Sequence, residues 1–105
     1  MSRSERIRNA AHLWQEHLDA EFPADLRGVE FEDIDLVLLD ADTAGCAYTW
    51  ISKGGDLDPE RRRLLQTCVE DLDRVIPQIG DPSGRRYYQR LHQLALLVSG
   101  DPETK

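Results

Sequence analysis

The sequence is short of positive charge, of cysteine and of long apolar runs. Thirteen Lys and Arg stand against 20 Asp and Glu, a formal net charge of −7. Such a balance repels phosphate backbones and anionic lipid, so neither nucleic-acid binding nor membrane binding is expected. Lysine is scarcer still, two residues against 11 arginines, a bias common in GC-rich genomes and silent about mechanism. The two cysteines, Cys46 and Cys68, have neither metal-ligand spacing nor the density of a disulfide framework. Both fall in apolar stretches, which predicts buried free thiols in a reducing compartment. No segment approaches the roughly 18 uncharged apolar residues of a membrane span. The opening "MSRSERIRNAAHLW" has no apolar signal core, and a cytoplasmic location is expected. Gly-x-Ser-x-Gly, a phosphate-cradling glycine loop and a closely spaced Cys–His pair are all missing. No catalytic residue, metal or cofactor is therefore expected.

What remains is helical grammar in a chain of 105 residues, the size of one domain. Ile7, Ala11, Trp14 and Leu18 share one face of a helix over 3–22, closed by Pro23. Asp58-Pro59 and Asp81-Pro82 each pair an N-cap with proline at the first helical position, opening helices over 58–79 and 82–99. Residues 31–53 read as a further helix that stops at Gly54-Gly55. The expected fold is all-α, an antiparallel four-helix bundle in one domain, with a tail at 101–105. The alternative is α+β, with a short hairpin at 34–52 in which "DLVLLD" and "CAYTWIS" pair across "ADTAG".

Within that segment, "LVLLDADT" (36–43) delivers two aspartates from an apolar run. It resembles the opening of haloacid-dehalogenase-like phosphatases, which would imply a nucleophile at Asp40 and an acid/base at Asp42. That chemistry needs a parallel sheet to carry its further ligands, and the sequence after residue 55 offers only two amphipathic helices. On a helix the two aspartates point about 160° apart and cannot share a metal. Asp42 then lies on a polar strip. Asp40 lies in the apolar arc and needs a partner, expected to be an arginine from another helix.

Other polar groups read more plainly. His12, Glu16 and Asp19 have ligand-like spacing but face water, while His17 borders the apolar face and is expected to pack. The run Arg61-Arg62-Arg63 is offset by Asp56, Asp58 and Glu60.

Residues 31–53 are apolar around most of the helical circumference. A bundle helix that buries one stripe leaves the rest for a partner. The expected interface is therefore a homodimer seam of Leu39, Cys46 and Trp50, extended by Leu96 and Leu97, which fall off the main face of the last helix. On that reading Trp50→Ala or Leu39→Asp gives a folded monomer. The acidic balance also favours a basic protein partner. The leading function is a non-catalytic interaction or regulatory module, acidic and self-associating. The alternative is a small-ligand binder or enzyme with its site near Asp40, Tyr48 and Trp50.

The stretch from "DLVLLDADTAGCAYTWISKGG" to "LDPERRRLLQTCVEDLDRVIPQI" resembles small helical proteins of high-GC Gram-positive bacteria with no assigned activity. They share the Ala-Gly-Cys…Trp stretch, the Gly-Gly turn and the Leu-Asp-x-x-Arg helix start. The resemblance implies a one-domain cytoplasmic bacterial protein.

Overall fold

The structure, a computed structural model, describes residues 2–100. Four helices form it: α1 (Arg3–Asp19), α2 (Leu36–Ser52), α3 (Pro59–Val75) and α4 (Pro82–Ser99). A two-stranded antiparallel hairpin, β1 (Glu30–Phe31) and β2 (Ile34–Asp35), precedes α2. Short 3-10 turns cover Ala24–Leu26 and Ile76–Gln78.

Each helix begins where a side chain can take an orphan backbone N–H. Ser2 and Glu5 form a capping box on α1. Asp35 accepts from the Val37 and Leu38 amides, Asp58 from Arg61, and Asp81 from Gly84. Each such cap contributes about 1 kcal/mol. Helix α2 ends in a Schellman pair, Gly55 N–H to Trp50 C=O and Gly54 N–H to Ile51 C=O, with both glycines at positive φ. Pro77 does not break α3 abruptly. The chain tightens into a 3-10 turn around it, as a residue without an N–H requires.

The helices alternate in direction. His17 meets Asp40 while Ile7 lies against Gly55, so α1 and α2 are antiparallel. Arg6 reaches Leu97 while His17 meets Tyr87, so α4 runs against α1. Helices α2 and α4 run parallel, tied by the Tyr88 hydroxyl donating to Leu36 C=O at 2.6 Å. These two form the short diagonal of the bundle, and each packs against all three other helices. Tyr88, Leu36, Leu72, Leu91 and Leu94 are fully buried in the core.

The all-α bundle is as the periodicity predicts, with three shortened ends, α3 stopping at Val75 instead of residue 79. Helix α1 stops at Asp19 instead of residue 22, because Ala20 turns to extended backbone ahead of Pro23. Helix α2 starts at Leu36 instead of residue 31. The hairpin occupies that gap, at 30–35 and not across 34–52. Its turn residues Glu32 and Asp33 both have positive φ, 53° and 68°, the conformation of a type I′ turn.

The seam expected at a dimer interface is corrected by this packing. Leu39, Cys46 and Trp50 are 5%, 3% and 4% exposed within the chain itself. Covered by α1, α3 and α4, α2 buries Leu36, Leu39, Cys46, Ala47 and Trp50 inside its own bundle, while Val37, Leu38 and Tyr48 stay exposed. Leu96 stays exposed, and Leu97 is half-buried against the core. The tail at 101–105 lies outside the described residues.

Candidate functional site

Two arrangements combine polar groups in ways that sequence order does not show. The first is a buried knot joining α1, α2 and α4. The Asp40 carboxylate takes the His17 Nε2–H at 2.5 Å on one oxygen and the Tyr87 hydroxyl at 2.8 Å on the other. Tyr87 Oη is also 3.3 Å from His17 Nε2. His17 is 4% exposed and the Asp40 side chain 16%. The ring of Tyr87 packs on those of His17, Phe22 and Tyr88, which removes water from the knot. The Tyr87 phenol is held far above its usual range, first by burial and then by its bond to Asp40, with Arg90 pulling the other way.

Asp40 therefore has its partner, but not the expected one. It is a histidine and a tyrosine, where an arginine was anticipated. Imidazole fits because it brings one N–H into an apolar seam without a permanent charge to desolvate.

A His–Asp pair is also the base of many hydrolytic sites, so its free ring nitrogen decides what it can do. A working base turns that nitrogen toward a nucleophile or a substrate. Here the nitrogen beyond the Asp40 bond, Nδ1, is sealed from solvent and has no partner among the described residues. The Tyr87 hydroxyl, 3.3 Å from Nε2, already donates to Asp40. Cys46 lies elsewhere, its Sγ donating to Arg61 C=O at 3.7 Å. Burial raises the Cys46 thiol and pushes the Cys68 thiol up to about 11, so neither is poised as a thiolate. The knot is built to hold three helices.

The alternative site at Asp40, Tyr48 and Trp50 is not assembled. Tyr48 is exposed and lies against Trp14, with ring centroids 5.3 Å apart. Trp50 is buried near the far end of α2, beneath the Arg6 guanidinium at 5.4 Å. His12 pairs with Glu16 at 3.1 Å on the exposed face of α1. Among the described residues no group of three His, Cys, Asp or Glu could hold a metal ion.

The second arrangement is a hollow of about 180 Å³ between α2 and α3. Leu38 and Leu64 flank it, 59% and 40% exposed, and Leu39 and Cys68 form its floor. Asp33, Asp35, Asp42 and Asp71 line the hollow, with no Lys or Arg among its described lining residues. Asp35 is partly used by the α2 amides, and Asp71 pairs with Arg74 at 3.6 Å. The side chains of Asp33 and Asp42 have neither hydrogen bond nor ion pair among the described residues. Sequence reading placed Asp42 on a polar strip but did not join it to Asp33, Asp71 and the exposed leucines. That juxtaposition depends on how α3 sits against α2.

No helix of the described residues is long and apolar enough to cross a membrane. No family model matches the chain, and neither the curated proteins nor the solved structures hold a detectable match to it.

Proposed function

We propose that the protein is a non-catalytic interaction module whose α2–α3 hollow docks a basic amphipathic segment of another protein. The observation that carries this is the pairing of two exposed leucines with four aspartates around one hollow. An apolar side chain of the partner would sit between Leu38 and Leu64. Flanking Lys or Arg would face Asp33, Asp42 and Asp71. The net charge of −7 would steer such a partner in from a distance. The sealed His17 nitrogen favours this reading over a hydrolytic one. Self-association through Leu39, Cys46 and Trp50 forms no part of it, since those side chains already fill the chain's own core. The two buried free thiols support the reading that this docking takes place in a reducing compartment such as the cytoplasm.

The test is fluorescence anisotropy with a labelled Lys- and Leu-rich amphipathic peptide. Saturable binding that weakens steeply with salt is expected. Leu64→Ser should lower affinity by about tenfold, from the lost apolar contact. Asp42→Asn should lower it by about two- to fivefold, the scale of one exposed ion pair. Equal binding to a Glu-for-Lys version of the peptide would sink the proposal.

A further inference from the structure

We propose that a second hollow, where the start of α1 meets the end of α4 and the first turns of α3, binds a small phosphate-bearing molecule through Arg3, Arg6 and Arg62. This hollow encloses about 170 Å³ and is distinct from the acidic one. In a chain with 20 acids and 13 basic side chains, its described lining brings three guanidinium groups together with one carboxylate, Asp56.

Each of the three arginines already donates to a backbone carbonyl beside the hollow. Arg3 donates to Gly54 C=O at 3.3 Å, and Arg62 to Leu57 C=O at 2.8 Å. Arg6 donates to Leu97 C=O at 3.0 Å and to Gly100 C=O, and lies over the Trp50 ring. A guanidinium has five N–H donors, so each keeps donors beyond these backbone bonds. Fixing a fork in advance lowers the entropy lost when an anion binds. Asp56 is a loose competitor, 3.7 Å from Arg62 and mostly exposed.

The number of forks points to the ligand class. One guanidinium already satisfies both oxygens of a carboxylate. Forks on two separate helices suit the three oxygens of a phosphoryl group. The hollow exceeds a bare phosphate in size, and the nearly buried Trp50, Leu65 and Val98 lie behind its largely polar surface. A small phosphomonoester therefore fits better than the free ion.

Inorganic phosphate is the probe, titrated at constant ionic strength into isotope-labelled protein and followed by amide and indole chemical shifts. Saturable shifts are expected at the Trp50 indole, Gly55 and Gln66. Arg62→Gln should weaken binding by about tenfold or more, the loss of one charge-assisted fork. Arg86→Gln, an exposed arginine outside the hollow, should change nothing; a dispersed spectrum for both variants confirms that they fold. Linear shifts spread over surface arginines, or unchanged affinity in Arg62→Gln, would overturn the proposal. Saturation by acetate in place of phosphate would overturn the phosphoryl assignment.

Discussion

His17 and Asp40 meet across the α1–α2 seam with Nε2 2.5 Å from Oδ1, although 23 residues separate them in sequence. The contact joins the segment before the hairpin to the segment after it. Removing Asp40 leaves the His17 and Tyr87 donors buried and unmet, a cost of about 1–3 kcal/mol for each. Asp40→Ala should lose about that much stability in urea denaturation. Tyr87→Phe should lose about 1–2 kcal/mol, because Asp40 keeps its bond to His17. His17→Leu combined with Asp40→Leu should recover most of the loss. If the double variant is as unstable as Asp40→Ala, the knot does not act as a coupled unit.

Helix α2 makes the opposite prediction to the one its sequence invites. Trp50 and Leu39 are buried within one chain, so their substitution should unfold it and not release a monomer. Trp50→Ala should cost about 3–5 kcal/mol. Leu39→Asp places a charge in the core and should abolish the folded state. A folded, monomeric Leu39→Asp chain, seen by circular dichroism and sedimentation, would return those residues to an intermolecular seam.

The cysteines should be chemically quiet. With its thiol pushed up to about 11, Cys68 is roughly one part in a thousand thiolate near pH 8. Cys46 is shifted in the same direction by burial. Ellman's reagent should react slowly with the native protein and rapidly with both thiols in denaturant. Fast reaction of either thiol in the native state would show that the α2–α3 seam opens readily.

Alkali should destabilise the fold through its tyrosines. Burial raises the phenols of both Tyr87 and Tyr88. A raised acid keeps its proton when the unfolded chain has lost it. Its stabilising contribution is whole below about pH 10, the ordinary phenol value, and declines above it by about 1.4 kcal/mol per pH unit for each phenol. The urea midpoint should therefore fall between about pH 9 and about pH 11, and fall less in Tyr87→Phe. A flat midpoint across that range would contradict the burial of both hydroxyls.

The hairpin turn holds a correctable strain. Asp33 adopts φ 68°, a conformation costly for a residue with a Cβ. Asp33→Gly should raise stability by about 0.5–1 kcal/mol, since glycine populates that region freely. Glu32 is the poorer target, because its carboxylate accepts from Gln78 Nε2 at 2.9 Å. Loss of stability in Asp33→Gly would mean that the carboxylate contributes more than the turn geometry costs.

Much of the fold was legible because its punctuation is local. Asp58-Pro59, Asp81-Pro82 and Gly54-Gly55 mark helix ends within two residues each, and the structure uses them as written. The hairpin was not legible. Glu32-Asp33 takes a turn usually made by Asn-Gly, so no composition signal marks it, and Asp35 reads equally well inside a helix or as its cap. Periodicity put Asp40 in an apolar arc, which correctly required a partner. It could not name His17 or Tyr87, because that meeting depends on the packing of three helices. The same limit misled the reading of Leu39, Cys46 and Trp50. Spacing shows that a helix is apolar all round, not whether one chain or two surround it.

The most direct test of the interaction reading is where a basic amphipathic peptide lands on the intact chain. Isotope-labelled protein titrated with the unlabelled Lys- and Leu-rich peptide should show saturable shifts centred on Leu38, Asp42, Leu64 and Thr67, lost together at high salt. Residues around Arg3 and Arg62 should stay still. Saturable shifts centred on another face, or none that saturate at low salt, would contradict the assignment of the α2–α3 hollow as the docking site.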